Sequence, residues 1–351
     1  MSPGDSDVPP GFLCYFRPGP DSTATDTETG LSVVSVPGAL QYLRDGDVVH
    51  FSPTTGRIRV LYRRNSQHNA LFLTNRCNCG CLMCSQPPKV NDEGGCIEEC
   101  LRLIPLIDRE TAALGVTGGE PTLEPEGMLS IVRASKAFLP ETALHVLSNG
   151  RMFAYLSLAR ALGAIRHPDL VVGVPLHSDL VHQHDWIAQR CGAFYQTVRG
   201  IVNLRRCGID VEVRVVIHNL NVNRLLGIAE FIARNMPFVR QVAMMGMESI
   251  GLARRNLDLL WVDPYDYRRT LRDAVEYLTQ RRMRVVIYNH QLCTLDHELW
   301  RYCCMSISDW KREYLPICAE CAVRTRCGGF FAAGVTRHSE HIHPQDFEDE
   351  S

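Results

Sequence analysis

The amino-acid sequence predicts an α/β fold whose main part is a partial (β/α)6 barrel. From residue 70 onward, short apolar segments alternate with segments of helical periodicity. This alternation is typical of a parallel sheet covered on both faces or closed on itself. Small or polar residues follow each apolar segment directly. Because chemistry in such folds lies beyond the carboxyl ends of the strands, that end is the predicted active face.

The barrel elements follow one another in six strand–helix units. Apolar runs predict strands at 70–74, 115–117, 144–147, 171–176, 211–217 and 239–244. Helical periodicity predicts helices over about 96–113, 126–138, 152–164, 184–207, 222–235 and 264–280. A further strand is predicted at 284–288. Six units make a partial barrel the natural closure.

The segments outside the barrel differ from it in composition. Residues 1–25 are rich in Pro, Gly, Asp, Ser and Thr and are expected to form a disordered arm. Residues 26–66 are expected to form a small β-rich module with strands at 31–36, 47–51 and 57–62. The barrel occupies 67–283, a cysteine-rich extension 284–335 and a polar, acidic tail 336–351. For the three histidines of the tail, a solvated tail is favoured over a metal site.

The composition excludes several classes of protein. The chain has 351 residues, 45% hydrophobic content and a formal charge of −2, so it has no basic footprint for nucleic acid. No apolar run approaches the roughly 20 residues that span a membrane, and the N-terminus lacks the apolar core of a secretory signal. We therefore expect a cytoplasmic protein with reduced thiols. Most of its 15 cysteines cluster at 77–100 and 293–327, which indicates two metal sites.

Three cysteines follow the first barrel strand directly. Cys77, Cys81 and Cys84 have the spacing C-x3-C-x2-C, which lets three thiolates close around a compact metal site and leaves a fourth position open. Cys79 lies off this spacing and is interpreted as a bystander. A structural zinc site is the alternative, but it needs a second nearby C-x2-C pair, and the sequence has none between 85 and 317.

The loop after the second strand carries Gly118-Gly119-Glu120-Pro121. Together with the cysteine loop, this motif resembles the radical S-adenosylmethionine (SAM) enzymes over about residues 68–250. The resemblance implies that Cys77, Cys81 and Cys84 bind a [4Fe–4S] cluster. It also implies that the open iron chelates the amino and carboxylate groups of SAM.

The resemblance also implies further SAM contacts. Gly118, Gly119 and Glu120 are expected at the amino group. An apolar patch that includes Met83 is expected under the adenine. Polar groups after later strands complete the expected set, with Ser148 and Asn149 near the ribose and Ser178 and Arg214 near the carboxylate. Arg214 has an equal alternative, an ion pair with a neighbouring acid.

A second group of cysteines lies near the C-terminus. Cys318, Cys321 and Cys327 are closely spaced, and Cys293 at a strand end supplies a fourth thiolate. Four cysteines suit either a fully ligated [4Fe–4S] cluster or a tetrahedral zinc ion. The segment resembles the auxiliary-cluster (SPASM or Twitch) extension of radical SAM peptide maturases, which implies one auxiliary [4Fe–4S] cluster. The other cysteines are attributed to the core or to chance.

A closer resemblance is to the His-Xaa-Ser system radical SAM maturases. It rests on the run CNCGCLMCSQPPK from Cys77 and on CAVRTRCGGFF from Cys321. It implies an enzyme that acts on a ribosomally made precursor peptide, with an external electron donor of the flavodoxin or ferredoxin type, and it allows a paired radical SAM maturase. The alternatives are a radical SAM enzyme acting on a small molecule or tRNA base, and a non-enzymatic iron–sulfur or zinc protein.

Overall fold

The chain folds into two units, residues 1–64 and 65–351. This computed structural model describes residues 14–18, 23–25, 32–36, 38–52, 54–89 and 94–346; up to residue 36, and at residue 39, it describes the backbone alone. The predicted site residues all belong to the larger unit.

The smaller unit consists of short strands. They are β1 (Cys14–Pro18), β2 (Thr23–Thr25), β3 (Ser32–Val36), β4 (Val48–Ser52) and β5 (Arg57–Tyr62). β3 pairs with β1 in parallel and with β2 in antiparallel orientation, and β4 and β5 form an antiparallel hairpin. The three predicted strands are confirmed. The expected disordered arm is wrong for β1 and β2, because both pair with β3, and residues 1–13 lie outside the described residues.

An eight-stranded parallel sheet forms the centre of the larger unit. Its strands are β6 (Ala70–Phe72), β7 (Ala113–Thr117), β8 (Ala143–Leu147), β9 (Leu170–Pro175), β10 (Asp210–Ile217), β11 (Gln241–Gly246), β12 (Val285–Tyr288) and β13 (Cys303–Cys304). They lie side by side in chain order, and β6 and β13 form the two edges. Every neighbouring pair is parallel. The predicted partial barrel is confirmed, and two further strands extend it.

The helices connect these strands. They are α1 (Cys96–Leu103), α2 (Pro125–Phe138), α3 (Leu156–Ile165), α4 (Val181–Ala188), α5 (Ala193–Arg206), α6 (Leu225–Asn235), α7 (Gly251–Arg255), α8 (Leu257–Leu260) and α9 (Pro264–Gln280). Each longer helix buries an apolar stripe, as α6 does with Leu225, Ile228 and Ile232. Within the described ranges, no helix has the length and apolar character needed to cross a membrane.

The helix predicted at 184–207 is two helices. Gln189 ends α4 with a left-handed φ of 53°, and Gly192 precedes α5 with a φ of 76°. The carboxylate of Asp185 then accepts hydrogen bonds from the backbone N–H groups of Gly192 and Phe194, at 2.6 and 2.8 Å. This break places the last turn of α4 against the cysteine loop.

Two short strands lie in the C-terminal extension. β14 (Arg312–Glu313) and β15 (Phe330–Phe331) pair in antiparallel orientation. The extension is therefore tied to the barrel through β12 and β13 and carries a small hairpin of its own. Two-residue strands have no periodicity, so the sequence does not predict them.

Candidate active site

The cysteine loop after β6 is held on one side by α4. The backbone N–H of Gly80 donates to the carbonyl of Ala188 at 3.2 Å, and that of Leu82 donates to Ile187 at 3.0 Å. A turn joins Cys84 N–H to the Cys81 carbonyl at 3.0 Å. The loop therefore continues the hydrogen bonding at the end of α4 and closes on itself in a turn.

The other side of the loop lies against α7. Leu252 N–H donates to the Cys84 carbonyl at 2.8 Å, and the Asn256 amide donates to the Leu82 carbonyl at 2.9 Å. Gly251, at the start of α7, has a φ of 60°, and a Cβ there would lie 2.7 Å from the Cys84 carbonyl oxygen. Only glycine fits this approach without a shift of the backbone.

Met83 fixes the middle of the loop by packing. Its side chain is buried and forms an apolar cluster with Ile187, Ala253 and Leu260. Cys81, Leu82 and Met247 pack against this cluster. Met83 thus anchors the loop, and the expected contact with adenine stays a prediction.

The glycines of the second motif pack against the start of the cysteine loop. Gly119 N–H donates to Thr74 and Glu120 N–H donates to Arg76, both at 2.7 Å. A Cβ on Gly119 would lie 2.2 Å from the Arg76 carbonyl oxygen, and one on Gly118 would lie 2.7 Å from that of Thr74. The two motifs predicted to cooperate are therefore in direct contact, and side chains at these positions would push them apart.

Glu120 does not present a free acceptor. Its side chain is fully buried, and its carboxylate accepts hydrogen bonds from the Ser148 hydroxyl at 2.7 Å, from Asn149 N–H at 2.6 Å and from Thr122. Burial raises the pKa of Glu120, while these hydrogen bonds act in the opposite direction. The structure therefore gives the carboxylate protein partners where the sequence predicts a SAM ammonium group.

Asn149 and Arg151 connect the third strand end to the cysteine loop. The Asn149 amide donates to the Asn78 side chain at 2.6 Å, and Arg151 donates to the Asn78 carbonyl at 2.7 Å. Both also contact the Cys79 thiol, Asn149 at 3.7 Å and Arg151 at 3.4 Å. Ser148 and Asn149 thus lie at the site, although the structure shows them in contact with protein groups.

Cys79 is part of the site and not an isolated bystander. Its side chain is buried, and hydrogen bonds with Cys81 and then Arg151 lower the pKa of its thiol. The remaining loop cysteines differ, because burial raises the pKa of Cys77 to about 11 and also raises that of Cys84. Outside the loop, Cys100 is buried and donates to the Phe72 carbonyl at 3.5 Å, as a core position requires.

Ser178 and Arg214 have partners of their own. The Ser178 hydroxyl, fully buried, donates to the Gln183 side chain at 2.6 Å. Arg214 belongs to β10 and lies 3.6 Å from the buried carboxylate of Glu212 and 3.3 Å from the Met245 sulfur. The ion-pair alternative for Arg214 is therefore the one observed.

Three buried histidines, two in the loops after β9 and β10 and one in α4, are not among the predicted site residues. His177 Nε2 lies 3.8 Å from the Cys81 sulfur. His184 Nδ1 accepts the His177 backbone N–H at 3.2 Å, and the Asn221 amide donates to the His177 carbonyl at 3.0 Å. His177 Nδ1 and both ring nitrogens of His218 are buried without a hydrogen-bond partner in the structure. Burial lowers the pKa of all three histidines and so favours the neutral imidazole.

The four C-terminal cysteines meet around one cavity. Cys293, Cys318, Cys321 and Cys327 all line it, and Tyr314 and His343 close its sides. Burial raises the pKa of Cys293 to about 11, and the three other thiols act on it in the same direction. The predicted set is therefore brought together from β12 and from the segment before β15.

The tail packs over this second cysteine set. His341 stacks on Tyr265 with ring centroids 3.7 Å apart, and Ser339 is buried. Gln345 accepts from Ala322 N–H at 2.9 Å, and its own N–H lies 3.4 Å from the Cys321 sulfur. Residues 338–346 therefore form part of the site, where the sequence predicts a loose tail; 347–351 lie outside the described residues.

Backbone hydrogen bonds reach the sulfurs of both cysteine sets. Backbone N–H groups donate to the sulfurs of several predicted ligands, namely Cys77, Cys84, Cys293, Cys321 and Cys327. Such bonds stabilise thiolates and tune iron–sulfur clusters. Within the described ranges, no three His, Cys, Asp or Glu side chains converge closely enough to hold a single metal ion. In a [4Fe–4S] cluster the thiolates bind different irons, so such convergence is not needed.

Residues 71–232 match the family model described as the Radical SAM superfamily. This part of the chain is a radical SAM domain. The matched residues contain the cysteine loop, the two glycines and the first strand ends, so the predicted family is confirmed. Residues 71–232 are called the radical SAM domain below.

Solved structures share the fold of this chain. SuiB of Streptococcus suis bound to S-adenosylmethionine aligns with a TM-score of 0.53 and 12% identity over 65% of this chain and 51% of SuiB. SuiB bound to the precursor peptide SuiA aligns with a TM-score of 0.51 and 13% identity over 68% and 52%. The chain thus spans about half the length of SuiB. No curated protein sequence matches the chain.

Proposed function

We propose that the protein is a radical SAM peptide maturase. The observation that carries the proposal is the position of Cys77, Cys81 and Cys84 at the carboxyl edge of the radical SAM domain, on a loop packed against Gly118 and Gly119. These three cysteines would hold a [4Fe–4S] cluster with one open iron for SAM. When bound, the cluster, with one electron from an external donor, would supply the reductive cleavage of SAM to methionine and a 5′-deoxyadenosyl radical for hydrogen abstraction from the substrate.

The chain's own residues position this chemistry. Glu120 fixes Ser148 and Asn149 at the third strand end, and Asn149 and Arg151 hold the cysteine loop through Asn78. The Gly118–Gly119 backbone is the proposed contact for the SAM amino group. Ser148 and Asn149 are proposed as polar groups near the ribose and Ser178 near the carboxylate, while Arg214 is assigned to the ion pair with Glu212.

The four C-terminal cysteines would hold an auxiliary [4Fe–4S] cluster. The resemblance of this segment to the auxiliary-cluster extension of radical SAM peptide maturases supports this group, and a tetrahedral zinc ion is the alternative for four cysteines. Metal analysis distinguishes the two. Zinc at about one per chain without extra iron would overturn this assignment.

A ribosomally made peptide with His-Xaa-Ser repeats is the proposed substrate. The resemblance of the two cysteine segments to His-Xaa-Ser system maturases supports it. The shared fold with SuiB, whose structure is known with its precursor peptide SuiA, supports a peptide as the class of substrate. An external electron donor of the flavodoxin or ferredoxin type would supply the electron, and a paired maturase remains part of the proposal.

The activity is tested with anaerobically reconstituted protein. Dithionite and SAM should yield 5′-deoxyadenosine with wild-type protein, and Cys81→Ala should abolish it. Cys191→Ala is the matched control, because Cys191 is exposed and lies outside the site, so its yield should be unchanged. An iron-free wild type, or iron-loaded protein that releases no 5′-deoxyadenosine, would refute the proposal.

The substrate is tested separately. A peptide with repeated His-Xaa-Ser is coexpressed with the protein and weighed by mass spectrometry. A mass change that appears with wild type and disappears with Cys81→Ala supports the peptide assignment. An unchanged mass with protein that cleaves SAM would leave the radical chemistry standing and exclude this substrate.

A further inference from the structure

A cavity of about 70 Å³ lies at the carboxyl ends of β10, β11 and β12. Ile217, Gly246 and Asn289 line it from the barrel, and Phe330 and Phe331 line it from β15. Because all strands of the sheet are parallel, the cavity and the cysteine loop both lie at the carboxyl ends of the strands. The cavity therefore lies on the active face and is covered by the C-terminal extension.

The lining connects this cavity to both cysteine sets. Met247 and Leu260 line the cavity and also belong to the packing around Met83, which includes Cys81. On the opposite side, Gln291 and Phe330 line both this cavity and the one formed by the four C-terminal cysteines. A group bound here would lie between the two proposed clusters.

The chemistry of the walls restricts what fits. Trp261, Tyr267 and the two phenylalanines of β15 supply aromatic surface. The Tyr267 hydroxyl is already hydrogen-bonded to His290 at 2.8 Å. Arg337 is the one lining residue with a permanent charge among those the structure describes; it lies 4.6 Å from the Trp261 ring centroid and 3.0 Å from Asp258.

We propose that this cavity binds a neutral aromatic side chain of the substrate, such as phenyl or uncharged imidazole. Aromatic walls favour edge-to-face and offset-stacked contacts with a bound ring, which stabilise it beyond the buried area. A cationic side chain is disfavoured because no described lining residue is acidic and Arg337 already covers one aromatic face. The inference rests on the proposed function in one respect, that the ligand is part of a peptide.

Gly334 offers a way to fill the cavity. It lines the cavity, its backbone has an ordinary φ, and a Cβ built on it meets no atom within 4 Å. Gly334→Phe should therefore introduce a ring at the cavity lining without a clash at Cβ. Ser249→Phe fills it from the loop after β11 and serves as a second variant if the first does not fold. Ala332→Phe is the matched control, because Ala332 is exposed and is not part of the lining.

Binding is measured on the full, reconstituted protein by saturation-transfer NMR at pH 8. The probes are the N-acetyl amides of phenylalanine, histidine and lysine. The first two should bind and the lysine probe should not. Either filling variant should weaken binding of the phenylalanine probe by about tenfold, which corresponds to about 1.4 kcal/mol, and Ala332→Phe should not.

The outcomes separate this inference from the proposed function. Release of 5′-deoxyadenosine by wild type is measured on the same preparation and tests SAM cleavage alone. If that release is normal, three results would show that the cavity assignment is wrong while the radical SAM activity stands. The lysine probe binds as well as the phenylalanine probe, no probe binds, or both folded filling variants bind the phenylalanine probe like wild type.

Discussion

At the residue scale, Glu120 joins the ends of β7 and β8 by hydrogen bonds within the chain. Both carboxylate oxygens are used, one by Asn149 N–H and the other by Ser148 and Thr122. A fully buried carboxylate is costly unless every lone pair is matched by a donor, and here the donors are supplied by the adjacent strand end. Glu120 is therefore a positioning residue for the loop that follows β8.

Replacement of Glu120 should lower stability. Glu120→Ala leaves buried donors of Asn149, Ser148 and Thr122 without an acceptor, so the free energy of unfolding should fall by about 3 kcal/mol. Urea denaturation of the metal-free protein measures this. Glu110→Ala is the control, because Glu110 is exposed, and it should change stability by less than about 0.5 kcal/mol. Equal stability of the two variants would contradict the role given to Glu120.

His177 should influence the cluster that Cys81 is proposed to hold. A metal-bound thiolate has no proton, so the contact at 3.8 Å is favourable when His177 Nε2 donates. Donors to cluster sulfurs stabilise the reduced state. His177→Leu should therefore shift the midpoint potential to more negative values by about 59 mV, a tenfold change for one electron.

The potential is measured by a redox titration followed by electron paramagnetic resonance. His177→Gln keeps an N–H donor of similar reach and should retain most of the wild-type value. His167→Leu removes another buried histidine, which precedes β9 and so lies at the amino-terminal ends of the strands, away from the cysteine loop. This variant should leave the potential unchanged. A shift in both Leu variants, or in neither, would show that the contact with Cys81 does not tune the cluster.

Sequence and structure agree best where a motif is short and local. The spacing of Cys77, Cys81 and Cys84 and the pair Gly118-Gly119 could be read directly, because the loop geometry depends on neighbouring residues. His177 and His218 could not, since a single histidine after a strand has no pattern. The partners of Glu120 were also beyond reach, because they come from a strand end 28 and 29 residues away.

At the element scale, α4 and α7 determine where the cysteine loop lies. On one side of the loop, carbonyls in the last turn of α4 accept hydrogen bonds from loop N–H groups. On the other side, Leu252 in α7 and Asn256 directly after it donate hydrogen bonds to loop carbonyls. The break between α4 and α5 depends on left-handed residues at 189 and 192 and on capping by Asp185, and continuous helical periodicity concealed it. Loop position is thus a property of helix ends that periodicity alone does not predict.

The tail segment 338–346 should be required for the auxiliary site. A chain that ends at Arg337 loses the His341–Tyr265 stack and the contacts of Gln345 with Cys321 and Ala322. Its iron content should fall by about four per chain, the content of one [4Fe–4S] cluster. A chain that ends at Asp346 is the control and should keep its iron. Full iron in the shorter chain would show that the tail does not hold the site.

At the scale of the whole molecule, the parallel orientation of the strands brings both cysteine sets to the carboxyl ends of the strands. β6 carries the first set and β12 leads into Cys293, and the strands between them present their polar ends to the same side. The alternation of strands and helices was enough to predict this architecture. The closure of the tail over Cys321 was not, because its polar composition suggests a solvated segment.

The central claim is that the iron–sulfur cluster at Cys77, Cys81 and Cys84 has an open position that binds SAM. The most direct test is the electron paramagnetic resonance spectrum of the reduced cluster with and without SAM. It is recorded on a variant with Cys318, Cys321 and Cys327 replaced by Ala, which removes the auxiliary signal. The account predicts a cluster signal whose g values change when SAM is added; absence of the signal, or a spectrum that SAM leaves unchanged, would contradict it.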